Sequence, residues 1–400
     1  MSARCDNTGP VAVLGADSPI GLTVIRELGE HGVPVIAMVR DAKGLGRYSR
    51  HARAFEVIEK PLAAFLPRII ERHGISAILA ISEHQLIELA ALKGKLGDCA
   101  VLCPDADTLA TVLDKQRTLD IAARLDIDTP STWQPLAGED RRAKAAQIAY
   151  PVAIKWPDPN LVGARLDAAG LALEKVEYAA DAPALLAILA RYDPVGVWPI
   201  VQTWCPGEGL GQMLHMKDGE ATLTFQHRRL REWPPTGGVS ALCEAIDPAA
   251  HREQLEKSEA LLREIGWQGP AMVEYRHDPL TGRYWLMEVN GRFWGSIPLA
   301  YHCGAHFAWE QYRRFVLGKR GPRRDIYAPR RARYAIPDGK HLLAVLRDGR
   351  LPFGERLRRT GRFVLDFLDP RVRWYVWSLS DPKPFFGDLA GIAHRRRQRR

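Results

Sequence analysis

The chain has 400 residues and a mass of 44.7 kDa, enough for two or three packed domains. Hydrophobic residues make up 46% and charged residues 26%, a balance that excludes a disordered or fibrous chain. The net charge of +9 is unevenly spread: residues 319–400 hold 22 Lys+Arg against 8 Asp+Glu, and the rest hold 34 against 39. A strongly basic C-terminal fifth on a mildly acidic body argues against a nucleic-acid-binding core.

No run of 18 or more uncharged apolar residues occurs, so no transmembrane helix is expected. Val11–Leu14 reads as a strand rather than as part of a secretory signal. Six cysteines, at 5, 99, 103, 205, 243 and 303, lack Cys-x-x-Cys or zinc spacing, which fits a reduced, cytoplasmic setting.

Val11–Leu14, the loop Gly15–Gly21, the helical pattern Ile20, Val24, Ile25, Leu28 and the apolar run Val33–Val39 form a strand–loop–helix–strand unit. A second unit follows: a helix carrying Leu66, Ile69 and Ile70, a strand at Ile75–Ile81, helical pattern through Leu86–Leu96 and a strand at Ala100–Leu102. Residues 1–110 are therefore predicted to form a doubly wound parallel-sheet α/β domain. Asp114-Lys115 opens a helix that runs through Leu125 and stops before Thr129-Pro130. From 150 onward the pattern changes to antiparallel α+β. Short strands are predicted at 151–156, 171–174, 199–203, 210–216 and 220–228, with helices near 181–191 and 249–265. Strands at 270–277 and 283–290 then flank a turn, and Pro/Arg-rich sequence from 321 marks a boundary.

Gly15-x-x-Ser18-x-x-Gly21 sits where a dinucleotide fingerprint would sit, and Arg40 ends the second strand, where it would suit a 2′-phosphate. No Tyr-x-x-x-Lys pair accompanies the loop. It reads either as an NADP site or as a structural strand-to-helix turn.

The most informative segment is 271–295. Asp278-Pro-Leu-Thr-Gly282 reads as a five-residue turn that sets 277 opposite 283. That register puts Glu274, Leu286, Glu288 and Asn290 on one face, with the Cα atoms of the two glutamates roughly 6–8 Å apart. Two carboxylates and a carboxamide, with no Cys or His beside them, are hard oxygen donors suited to Mg²⁺, with Mn²⁺ as the alternative. Val273, Tyr275, Trp285, Met287 and Val289 make an apolar opposite face. Such two-sidedness is also what any half-exposed hairpin shows.

Around these residues the chain resembles the ATP-grasp superfamily of carboxylate–amine ligases over roughly 100–310, with the Gly-loop domain in the place of the usual N-terminal domain. It is most like a branch often linked to cell-surface polysaccharide genes. The resemblance implies a site residue by residue. Lys115 would contact ATP, and Lys155, in Tyr150-Pro-Val-Ala-Ile-Lys155, would hold the α and β phosphates. Gln202, Thr203 and Trp204 would form the adenine hinge, with Glu208 on the ribose, since Thr203 stands where Glu is usual. Glu274, Glu288 and Asn290 would be the metal ligands, and Arg292 would contact phosphate or acyl-phosphate. Arg231 would face the acyl-phosphate, with Arg228, Gly237, Gly238 and Ser240 lining the substrate side. The loop after Lys155, normally rich in Gly and Ser, holds only Gly163 and Gly170 within 156–170.

The implied fold is an ATP-grasp domain at 111–320, two α+β subdomains clasping ATP. A basic extension at 321–400 follows, its tail disordered from about 394. The implied activity is ATP- and Mg²⁺-dependent joining of a small carboxylate to an amine with release of ADP. An NADP-dependent reductase and a non-catalytic ATP-binding accessory protein are the alternatives. Individually, Lys115, Lys155, Arg228, Arg229 and Arg231 also read as solvated positions, and Gly237-Gly238 as a plain turn. The basic extension, with Trp374, Tyr375, Trp377, Phe385 and Phe386, reads as a peripheral contact for an anionic membrane or as a solvated cap over buried aromatics. No specific nucleic-acid partner is expected. Acid, amine and oligomeric state have no signature in the sequence.

Overall fold

The computed structural model describes residues 9–174, 176–235 and 238–398. Val11–Leu14 (β1) is apolar and wholly buried. Ser18 caps the following helix, Pro19–Glu30 (α1), its Oγ accepting from the Gly21 N–H at 3.2 Å. Pro19 occupies the first turn, where a missing N–H costs nothing. Val35–Val39 (β2), Ala52–Val57 (β3), Ala77–Ala80 (β4) and Ala100–Val101 (β5) complete a parallel sheet of order β3-β2-β1-β4-β5. Helices Leu62–His73 (α2) and Glu83–Leu92 (α3) cross between its strands. The doubly wound α/β arrangement predicted from the sequence is present. β3 is additional: its side chains alternate between half-buried and exposed, without the continuous apolar run that marks the inner strands.

Ala106–Leu113 (α4) leads into Lys115–Arg124 (α5), whose N-cap Asp114 accepts from the N–H groups of Gln116 and Arg117 at 3.0 and 3.2 Å. An antiparallel sheet follows, of order β6-β9-β7-β8, formed by Thr132–Trp133 (β6), Val152–Lys155 (β7), Glu177–Ala179 (β8) and Ile200–Thr203 (β9). Arg141–Ala146 (α6), Pro159–Ala168 (α7) and Ala182–Ala190 (α8) accompany it. Residues 171–174, predicted as a strand, are irregular; α7 runs to Ala168, the chain turns at Gly170 with φ of +68°, and the strand forms at β8 instead.

The third sheet is built from longer strands: Glu208–Lys217 (β10), Glu220–Trp233 (β11), Val239–Ile246 (β12), Gly269–Asp278 (β13) and Arg283–Asn290 (β14), with Arg252–Ile265 (α9) between β12 and β13. Ile297–His302 (α10) and Phe307–Phe315 (α11) precede the C-terminal strands Arg324–Asp325 (β15), Arg331–Arg333 (β16) and Val372–Trp374 (β17). Ala335–Arg347 (α12), Phe353–Leu365 (α13) and Lys383–Gln398 (α14) complete the chain. The sheet order is β14-β13-β10-β11-β12-β16-β17, with β15 beside β11. The basic extension therefore contributes strands to the sheet, and Tyr375 is buried within it. α14 continues through Gln398, where the sequence predicts a disordered tail from about 394; Arg399 and Arg400 lie outside the described residues.

By packing, the chain divides into two units. One comprises Met1–Leu109, Gly211–Met272 and Asn290–Arg400, and the other Ala110–Leu210 and Val273–Val289. No described helix is long and apolar enough to cross a membrane.

Candidate functional site

In the smaller unit, Ala153 pairs with Gln202, Ile154 with Val201, Lys155 with Ile200, and Thr132 with Gln202. Side chains alternate across a strand. Trp133, Val152, Ile154 and Val201 point into the unit's core with Val162, Leu166, Leu185 and Leu189. Thr132, Ala153, Lys155, Ile200 and Gln202 consequently stand on the other face. The ammonium of Lys155 there is held below the usual lysine range. Burial is the main cause; the Glu288 carboxylate opposes it, Lys115 reinforces it and Glu274 again opposes it. Lys115, in the first turn of α5, donates to the Pro157 carbonyl at 3.1 Å and lies 3.9 Å from Glu288 Oε2. Four of the charged residues singled out in the sequence thus converge: two ammonium groups and two carboxylates, acting on one another away from the core.

Gln202 is buried beside them. Its Nε2 donates to Thr132 Oγ1 at 2.8 Å, and its Oε1 has no hydrogen-bond partner. A buried acceptor left in this state costs about 1–3 kcal/mol, so it marks a place where a donor is wanted. The rest of the predicted hinge is anchored through its backbone. The Thr203 N–H donates to Ser131 O at 3.0 Å and the Trp204 N–H to Pro151 O at 3.1 Å, leaving the Trp204 ring half-exposed. Gly207 follows with φ of +94°, and a Cβ on it would lie 2.0 Å from His277 O, so only glycine fits where this strap crosses β13. The Arg276 guanidinium donates to the Gly207 carbonyl. Glu208 acts electrostatically on His277, at the start of β10. Cys205, also near Lys155, is no nucleophile, because burial pushes its thiol up to about 11.

The hairpin departs from the predicted turn length. Asp278 remains in β13, and its carboxylate accepts from the Leu280 N–H at 3.0 Å and Thr281 Oγ1 at 2.8 Å. The connection is therefore 279–282 rather than 278–282, and His277 stacks on Tyr284 at 4.4 Å. The aspartate side chain makes the turn's hydrogen bonds, which lets its backbone stay extended. Among the described residues no three His, Cys, Asp or Glu side chains form a metal-holding group. The oxygen donors at hand are the pair Glu274 and Glu288.

The 156–170 segment, predicted as a Gly-poor lid loop, is largely helix α7, with Val162 and Leu166 buried and Trp156 packed edge-on to Tyr192 at 5.1 Å. Its two prolines precede or open the helix, where they are tolerated.

The remaining predicted residues belong to the larger unit. Arg292 Nε donates to Glu83 Oε1 and its Nη2 to Asn290 Oδ1, each at 3.0 Å, which holds the Asn290 amide oriented. Arg231 is clasped at 2.6 Å by Asp338 and at 2.6 Å by Asp366. Burial alone would lower its pKa, but these carboxylates more than reverse the effect and raise it. Arg228 bonds Glu244 through Nε and Nη2. The sequence could not announce these pairs for Arg231, whose partners lie 107 and 135 residues further on. A Cβ on Gly238 would sit 2.1 Å from Trp233 O, and Ser240 pairs across β12 with Glu232; Gly237 lies outside the described residues.

The Gly15 loop is closed on itself. A Cβ on Gly15 would meet Gln85 Oε1 at 2.7 Å, and one on Gly21 would meet Gly15 O at 2.6 Å. Asp17 accepts from the Arg40 N–H at 3.0 Å. Internal packing accounts for these glycines without a dinucleotide.

No family model and no curated protein matches the sequence. Solved structures do match the fold. N5-carboxyaminoimidazole synthetase from Staphylococcus aureus, solved with ADP, is 11% identical, with 81% of this chain and 80% of that chain covered and a TM-score of 0.61. The biotin carboxylase domain of Hydrogenobacter thermophilus 2-oxoglutarate carboxylase, solved with MgADP and bicarbonate, is 15% identical, covering 81% and 73%, with a TM-score of 0.62. L-amino acid ligase from Bacillus licheniformis is 13% identical, covering 77% and 74%, with a TM-score of 0.58. The architecture and these likenesses together establish that the chain has the ATP-grasp fold.

Proposed function

We propose that the protein is an ATP- and Mg²⁺-dependent ligase that converts a small carboxylate to an acyl phosphate for attack by an amine, with release of ADP. The observation that carries this reading is the convergence of Lys115, Lys155, Glu274 and Glu288 on the non-core face of the four-stranded sheet, beside the unpartnered Gln202 Oε1. Fold-mates that carry ADP or are named as ligases support it.

A carboxylate is a poor acylating agent because oxide would have to leave. Phosphorylation replaces oxide by phosphate, and most of the catalytic work is then positioning and charge stabilisation. Lys155, its charge disfavoured by burial, gains most from an anion and would hold the inner phosphates. Lys115, anchored through Pro157 O, would neutralise the same tail. Gln202 Oε1 would accept from the exocyclic amine of adenine. Two hard carboxylates fit Mg²⁺, so Glu274 and Glu288 would hold it, with Asn290 as a third donor. When bound, the metal would supply Lewis-acid neutralisation of phosphate charge. Arg292, with Nε on Glu83, Nη1 on Phe293 O and Nη2 on Asn290, would offer its remaining Nη protons to phosphate or the substrate carboxylate.

The test is ADP release from Mg-ATP across panels of amino acids and sugar acids offered with amines. Wild-type turnover that disappears in Glu288→Ala is expected. Turnover that survives in Glu288→Ala would reject the reading. A smaller test concerns the base: Gln202→Leu is expected to cut the preference for ATP over GTP by about tenfold, since one buried hydrogen bond is at stake.

A further inference from the structure

Helix α13, FGERLRRTGRFVL, is amphipathic in an inverted sense. Phe353, Leu357 and Val364 recur at helical spacing and share one side of it, and Leu368 continues the stripe just past its end. They are exposed by 74%, 61%, 54% and 77%. The opposite side is fixed to the protein. The buried Arg333 guanidinium stacks on Phe363 at 4.0 Å and Phe367 at 3.9 Å, and Asp366 receives Arg231. The apolar stripe therefore cannot turn inward. The helix carries four arginines against one glutamate, and that Glu355 is already engaged by Arg358 and Arg359. Arg358 is exposed on the flank of the stripe, and Arg359 and Arg362 are exposed further round the helix.

We infer that α13 is a membrane-docking element that lies flat on an anionic bilayer, its stripe in the acyl boundary and its arginines among the headgroups. The charge pattern selects this occupant. A protein groove would have to match an apolar ridge on a cationic helix, whereas hydrocarbon needs no shape match and acidic headgroups supply the counter-charge. At 13 residues the helix is too short to span a membrane. Arginine stems can run along the apolar ridge while their heads stay in the polar layer. The inference is independent of the proposed ligase activity.

The test is co-sedimentation of the full chain with phosphatidylcholine vesicles, with and without phosphatidylglycerol. Binding is expected only with the anionic lipid, and it should weaken as salt is raised. Leu357→Ser with Val364→Ser should weaken partitioning by at least about tenfold. The triple reversal Arg358→Glu, Arg359→Glu, Arg362→Glu should weaken it by about a hundredfold or more, and Leu280→Ser, an exposed leucine elsewhere, should change nothing. Unchanged circular dichroism melting verifies the fold of each variant, and single Leu368→Ser serves if the double variant unfolds. Failure of the wild type to bind anionic vesicles overturns the inference, as does equal binding by the stripe variants. So does concentration-dependent self-association that the stripe variants abolish without any vesicle binding, because a second copy would then be the occupant.

Discussion

Two buried cations, Arg231 and Lys155, behave in opposite ways. Around Asp338, Arg231 and Arg333 meet one carboxylate at 2.6 and 2.5 Å, and Asp366 completes the set. For Arg231 the carboxylates outweigh burial and its pKa rises, whereas for Arg333 burial outweighs Asp338 and its pKa falls, its Nη1 and Nη2 lacking a hydrogen-bond partner. Around Lys155 burial outweighs the carboxylates: Glu288 and Glu274 act on the ammonium but do not restore its pKa. Arg231 is held by a short forked contact to Asp338 and a second one to Asp366, whereas Lys115 lies 3.9 Å from Glu288, which leaves the ammonium groups able to accept an anion. In the proposed function Lys155 belongs to the site and Arg231 to the scaffold, although both stood out in the sequence as functional cations.

The largest effect is expected at Asp338. Asp338→Asn leaves two buried guanidinium groups short of a partner and should cost about 3–5 kcal/mol in urea unfolding. Mg-ATP affinity should be untouched; an affinity loss at unchanged stability would erase the distinction between the two cations. The converse is Lys155→Met, which should weaken Mg-ATP by about tenfold to a hundredfold in calorimetry while leaving the melting temperature equal or higher.

Acid should probe the larger unit through its buried histidines. Burial holds His215 at about 4, His227 at about 3 and His302 at about 4, against an ordinary 6.5. Folded-state values below the unfolded value mean stability that is present above about pH 6.5 and lost as pH falls from there towards 4. Each group accounts for up to about 2 kcal/mol between pH 7 and pH 5. Glu27 acts in reverse: burial raises it to about 8, so its contribution is lost as pH rises from about 4.5 to 8. Unfolding at pH 5 and pH 7 should show a shallower acid fall in His227→Gln than in wild type. An identical fall in both would mean that this histidine is not neutral in the folded protein.

Much of this was legible in local pattern. The inner strands of the parallel sheet are continuous apolar runs, and Lys155 ends a strand whose alternation fixes its face. The acidic hairpin needed only its two strands to be recognised. What stayed hidden depends on distant partners or on side chains that substitute for backbone. Asp278 makes its own turn bonds, which shortened the connection. The segment after Lys155 holds few glycines because most of it is helix α7, packed by Val162 and Leu166. Nothing near Arg231 points to Asp338 or Asp366, and nothing in the Gly15 loop shows that Gln85 already fills its hollow.

The basic C-terminal fifth looks detachable by composition, yet β16 pairs with β12, β17 with β16, and Asp381 receives both Arg26 and Ser49 at 3.0 and 2.8 Å. A recombinant fragment trimmed at residue 320 would thus bare the backbone of β12 and strand Arg26 without its counter-ion. Such a fragment should be recovered in inclusion bodies rather than as a minimal catalytic core, and any truncation intended to probe membrane docking must be replaced by point substitutions on α13.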